Sequence, residues 1–86
     1  MPSYAVTFAR SARKELQSLP IADAARILKK VEALGTNPRP VGSKKLIGAK
    51  DLWRLRVGDY RVVYKIDDEK GGVDVSVVRH RSEAYR

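Results

Sequence analysis

The chain has 86 residues, with 18 Lys and Arg against 10 Asp and Glu, a net charge of +8 and no cysteine. One domain spanning residues 1–86 is expected, and a chain this short buries only about 60–65% of the surface its unfolded form exposes. Disulfides and thiolate metal sites are excluded, and a single histidine argues against a protein-only zinc site, so neither metal nor cofactor is expected. The charge predicts a polyanion or an acidic protein as partner and says nothing about fold. No apolar run approaches the 18 or so residues that span a bilayer, and the start lacks a signal-peptide pattern; the reading is a soluble, cytoplasmic protein without a membrane partner.

In residues 3–8, Tyr4, Val6 and Phe8 alternate with Ser3, Ala5 and Thr7, which predicts a strand with one buried face. Over residues 9–19, Ala12, Leu16 and Leu19 recur every three or four positions among Arg10, Arg13, Lys14 and Gln17, the pattern of an amphipathic helix ended by Pro20. A second helix starts near Ile21, with Asp23 in the first turn where the helix dipole favours an acid. Its apolar stripe is Ala24, Ile27, Leu28, Val31 and Leu34, and Gly35 followed by Asn37-Pro38 stops it. The two helices are expected as an antiparallel hairpin laid on a sheet.

Residues 36–43 read as a loop from their turn chemistry, and 44–47 as a short strand ended by Gly48. Residues 52–57 alternate Trp53, Leu55 and Val57 with Arg54 and Arg56; Gly58-Asp59 suits a two-residue hairpin turn; residues 60–67 return with Tyr60, Val62, Tyr64 and Ile66 on the core face. A turn at 68–72 leads to a last strand over 73–80. The fold class is α+β: an N-terminal strand, a two-helix hairpin, then a three- to four-stranded antiparallel sheet with helices on one face and the other face open.

The open face carries the chemistry. A two-residue turn at Gly58-Asp59 pairs Val57 with Tyr60, so Arg56 lies opposite Arg61 and Arg54 opposite Val63. Directly opposed side chains have Cβ atoms about 4.5–5.5 Å apart, and like charges there are destabilising. An anion bridging the arginines would convert that repulsion into charge-assisted hydrogen bonds, for which the planar guanidinium is suited.

The last eight residues, Arg79-His80-Arg81-Ser82-Glu83-Ala84-Tyr85-Arg86, add more positive charge and a tyrosine directly after a valine-rich strand. Within the sequence only Glu83 lies near to offset it. Parity is ambiguous: Val73, Val75 and Val77 look like the core face, which would place Arg79 on it unless the strand bulges near Val78 or Arg79 projects past the helices. His80 points away from Arg79 and Arg81 by alternation and reads as a strand-end surface residue or a nucleic-acid contact. Lys44 and Lys45 suit phosphate-backbone contacts. Trp53 and Tyr64 read as packing, and Tyr60 as a residue of the sheet rim.

Such a patch fits metal-free RNA cleavage, in which the 2′-hydroxyl attacks its own phosphodiester. The protein must then align the attack, stabilise a developing dianion and shuttle protons. Arginines serve the second need and Tyr85 is the candidate for the third.

The run 52–64, Leu-Trp-Arg-Leu-Arg-Val-Gly-Asp-Tyr-Arg-Val-Val-Tyr, resembles the RelE branch of the RelE/ParE toxin superfamily, as do Lys45-Leu46-x-Gly48 before it and Val78-Arg79-His80-Arg81-x-x-x-Tyr85 after it. The resemblance implies a microbial-RNase-type fold and the toxin of a type II toxin-antitoxin system. It implies a ribosome-dependent, metal-independent endoribonuclease, or mRNA interferase, that cuts messenger RNA in the decoding site of the 70S ribosome and so inhibits translation. The implied partners are the ribosome and its messenger, a cognate acidic antitoxin and, through the antitoxin complex alone, operator DNA. By position, Arg54, Arg56, Arg61, Arg79 and Tyr85 match the catalytic set; Lys44, Lys45, His80 and Arg81 are expected as RNA or ribosome contacts. Arg54 and Arg56 stand where the best-known RelE pattern has lysines, and an arginine does not serve as a base. Two further readings are a ParE-like poison of DNA gyrase without RNase chemistry, and a plain basic RNA- or ribosome-binding module.

Overall fold

The computed structural model describes residues 4–81. Its elements are β1 (Ala5–Phe8), α1 (Arg10–Gln17), α2 (Ile21–Ala33), β2 (Lys44–Lys45), β3 (Leu52–Val57), β4 (Tyr60–Asp67) and β5 (Gly72–His80). The strands form one sheet in the order β1-β5-β4-β3-β2. The strands after the helices pair antiparallel, as the alternation predicts, while β1 lies parallel to β5 at one edge and makes the sheet mixed and five-stranded.

Both helices bury their stripes on the same face. Ala12 and Leu16 of α1, and Ile27 and Val31 of α2 with Leu34 beyond it, form one core with Leu55, Val57, Val62, Tyr64, Ile66, Val73, Val75 and Val78. Burial of such side chains is worth roughly 1.5–3 kcal/mol each, which fixes the sheet's inner face far more firmly than strand propensity does. Leu28 departs from the predicted stripe: it is 37% exposed, because the buried arc of α2 runs through Ile27 and Val31 and leaves Leu28 on its flank. Tyr64 is fully buried, and its hydroxyl donates to the Pro38 carbonyl at 2.8 Å, tying the 36–43 loop to the sheet. The strand predicted over 44–47 shrinks to Lys44–Lys45, since Gly48 and Asp51 take positive φ (80° and 62°) and turn the chain before Leu52.

At the β3–β4 hairpin Gly58 has φ 59°, at the first turn position where glycine is needed. A Cβ there would meet the Arg26 guanidinium at 2.9 Å, so α2 closes over the turn.

The last strand contains the feature alternation could not place. Val63 pairs with Val77 but Tyr64 pairs with Val75, so Ser76 is an extra residue bulging from β5. The bulge moves Val77 off the core face where the sequence pattern puts it, brings Val78 into the core at 1% exposure, and turns Arg79 to the open face.

Candidate nucleic-acid interface

The ladder registers set side chains of the open face in rows across the strands. Arg56 of β3 is opposite Arg61 of β4, and Arg61 is opposite Arg79 of β5, so three arginines form one row. One pleat away, Lys44, Arg54, Val63 and Val77 form the next. Beyond the bulge, Lys65 stands opposite Asp74, and Asp74 accepts a hydrogen bond from the Thr7 hydroxyl at 2.8 Å. The carboxylates that alternation puts on this face, Asp74 and Asp67, therefore lie outside the two cationic rows, and both are engaged, Asp67 by the Lys70 N–H at 3.1 Å.

Arg61, Val63, Val77 and Arg79 line an open depression of about 300 Å³. Two valines and two arginines thus share its lining. Arg61 is half-buried, and its Nε is shielded from solvent without a hydrogen-bond partner among the described residues. A buried donor left unmade costs about 1–3 kcal/mol. Neither Arg61 nor Arg79 has a carboxylate within ion-pair distance among the described residues. An anion seated between them would supply both missing partners.

The other predicted site residues separate. Lys45 pairs with Trp53, whose ring packs against the core, so only Lys44 of the two lysines shares the face of Arg54. Arg81 is not left to repel its neighbours: its backbone N–H donates to the Asp59 carbonyl at 2.7 Å and its guanidinium lies 3.8 Å from the Asp59 carboxylate. Alternation hid this partner because Asp59 lies on the hairpin turn, far off in sequence. His80 pairs with Tyr60 on the helix side of the sheet, the two rings meeting edge to face at 5.3 Å and 85°. It is thus separated by the sheet from the arginine row. Tyr85 and Glu83 lie outside the described residues.

Sequence reading missed one cluster at the other end of the sheet. Arg39 forks onto Asp68 through 2.8 and 3.3 Å bonds, Tyr4 donates to the same carboxylate at 2.6 Å, and the Arg39 guanidinium lies 5.2 Å over the Trp53 ring. The hydrogen bonds from Arg39 and then Tyr4 hold Asp68 below the usual carboxylate range, and the bond to Asp68 raises the Tyr4 phenol. The only available signal was Arg39 within a turn-forming loop. Among the described residues no group of three or more His, Cys, Asp or Glu is placed to hold a metal, and no helix is long and apolar enough to cross a membrane.

Helices thus cover one face of a mixed sheet, and cations gather on the other. The chain belongs to the family described as the ParE toxin of type II toxin-antitoxin systems, parDE, which matches residues 6–85. More particularly, it is 37% identical over 84 residues to the toxin RelE of Mycobacterium tuberculosis, covering 96% of this chain and 87% of that one. Its fold matches the archaeal RelE–RelB complex from Pyrococcus horikoshii OT3 with a TM-score of 0.82 at 33% identity, over 92% of this chain and 96% of that one. It also matches the isolated E. coli RelE toxin with a TM-score of 0.80 at 32% identity, over 95% and 90% of the two chains.

Proposed function

We propose that this toxin is a ribosome-dependent endoribonuclease that cuts messenger RNA in the decoding site without a catalytic metal. The observation that carries the reading is the Arg56–Arg61–Arg79 row beside the depression that Arg61, Val63, Val77 and Arg79 line, with the Arg61 Nε buried and unbonded among the described residues. A phosphodiester seated there places its non-bridging oxygens between Arg61 and Arg79.

The 2′-hydroxyl of the RNA forms a bond to phosphorus and gives up its proton. The bond to the 5′-oxygen breaks, and that oxygen takes a proton, leaving a 2′,3′-cyclic phosphate and a 5′-hydroxyl. Between these events the phosphorus carries a dianion, and fixed guanidinium donors stabilise it more than they stabilise the monoanionic ground state. Arginine stays protonated, so proton transfer falls to Tyr85, whose hydroxyl can give or take a proton. The ribosome supplies the channel that holds the messenger. Arg54 and Lys44 continue the cationic track toward the sheet edge, where phosphate contacts position RNA without reading sequence.

A net charge of +8 suits a cognate acidic antitoxin that covers the arginine row; the P. horikoshii relative was solved with RelB bound. A complex that leaves the row open and still blocks toxicity would argue for exclusion from the ribosome by bulk. A second reading, a gyrase poison, draws on the ParE description of the matched family, but it has no need of a guanidinium row over an open depression. Mapping 5′ ends after induction separates the two: codon-phased cuts in translated messages support the RNase, and DNA damage without cuts supports the poison. In vitro, programmed ribosomes should release cut messenger while naked RNA stays intact, and fast chelator-sensitive cutting of free RNA would sink the metal-free mechanism.

A further inference from the structure

We propose that His80 is a positioning residue for the cleavage site rather than a proton carrier, acting through its ring contact with Tyr60; this rests on the RNase reading above. In the β4–β5 ladder the pair Tyr60–His80 is directly next to the pair Arg61–Arg79. Neighbouring residues of a strand face opposite ways, so the rings meet on the helix side while the guanidinium groups stand on the open side. Each arginine of the depression is thus one residue from a ring of the pair.

This end of β5 needs holding. The pairing of β1 with β5 covers Gly72 to Val75, so from Ser76 onward β5 has, among the described residues, a ladder partner on the β4 side alone. Among the described residues, side-chain and backbone ties join this end to its surroundings. The Tyr60 ring meets His80 edge to face at 5.3 Å, and its hydroxyl donates to Asp23 in the first turn of α2 at 3.2 Å. The Arg81 N–H closes onto the Asp59 carbonyl at 2.7 Å. Helix α2, the β3–β4 turn and the end of β5 are thereby joined around Arg79. The guanidinium of Arg79 sits on whatever backbone position these ties set. The His80 ring faces Tyr60 on the helix side, Tyr60 in turn reaches Asp23, and the sheet backbone stands between this ring pair and the depression lined by Arg61 and Arg79.

The test compares wild type, His80→Ala and His80→Phe. Single-turnover cleavage on programmed ribosomes is followed from about pH 6 to 8, the range in which a histidine titrates. An edge-to-face pair is worth up to roughly a factor of ten. His80→Ala should therefore lower the rate up to about tenfold, and His80→Phe, which keeps a ring for Tyr60, should restore it to within about twofold with the wild-type pH profile. Amide exchange of Arg81 in the isolated toxin should quicken by a similar factor in His80→Ala and recover in His80→Phe. A His80→Phe variant as slow as His80→Ala, with the histidine limb gone from its pH profile, would overturn the proposal in favour of proton transfer. So would a His80→Ala variant that matches wild type in cleavage and exchange. If wild type itself leaves messenger uncut, the RNase reading fails, and the exchange arm still decides whether the ring pair holds the strand end.

Discussion

Replacing Arg61 by Gln should make the free toxin more stable while removing most of its activity, two changes of opposite sign from one side chain. Arg61 lies directly opposite Arg79, and a like-charge pair at this spacing costs roughly 0.2–1 kcal/mol. Its Nε, buried and unbonded among the described residues, adds about 1 kcal/mol or more. Against these stands the aliphatic stem, most of whose cover a Gln side chain retains. The net expectation is a gain of about 1 kcal/mol, a rise in Tm of roughly 4–8 °C for a domain of this size. The repulsive part is screened by salt, so wild-type stability should rise between low salt and about 0.5 M while the variant changes less. Thermal unfolding of the isolated toxin at both salt levels measures this. Single-turnover cleavage on programmed ribosomes should fall by about 10²–10³, the usual loss for one oxyanion-stabilising donor. A variant destabilised by more than about 1 kcal/mol would mean that Arg61 is a structural residue, and unchanged cleavage would remove it from the site.

Tyr85→Phe keeps the ring and loses the hydroxyl; cleavage should drop by roughly 10²–10⁴ with ribosome affinity unchanged, and a variant as fast as wild type would leave the arginines as the main catalytic groups. Deleting Ser76 removes the bulged residue without moving Val77, Val78 or Arg79 to another face, so a folded, active toxin is expected; an unfolded or inert product would show that the bulge's added twist is required. Asp68 has a depressed folded-state pKa, so its contribution to stability is present above the unfolded carboxylate range and is lost as pH falls through the folded value. The denaturation midpoint should therefore fall below about pH 4 in wild type, and Asp68→Asn should show less of that fall while being weaker at neutral pH; parallel pH curves for the two proteins would contradict this.

The local sequence determined much of this protein. Period-two and period-3.6 patterns located the helices and the main strands, because each records one buried face. A two-residue Gly58-Asp59 turn fixes its flanking strands to a single register, so the opposition of Arg56 and Arg61 followed from composition and spacing alone. Tertiary structure decided the rest. Alternation cannot reveal where a strand gains a residue: Val77 and Val78 are equally apolar, and only packing against the helices chose Val78 for the core, pushed out Ser76 and swung Arg79 into the row. The parallel seat of β1 beside β5, the pairing of Arg81 with Asp59, the ring contact of His80 with Tyr60 and the Arg39–Asp68 fork likewise join residues distant in sequence. No local pattern encodes such contacts. They form because the helices bury one face of the sheet, which fixes what the strand ends and loops can touch and leaves the charged groups together on the face the core does not use.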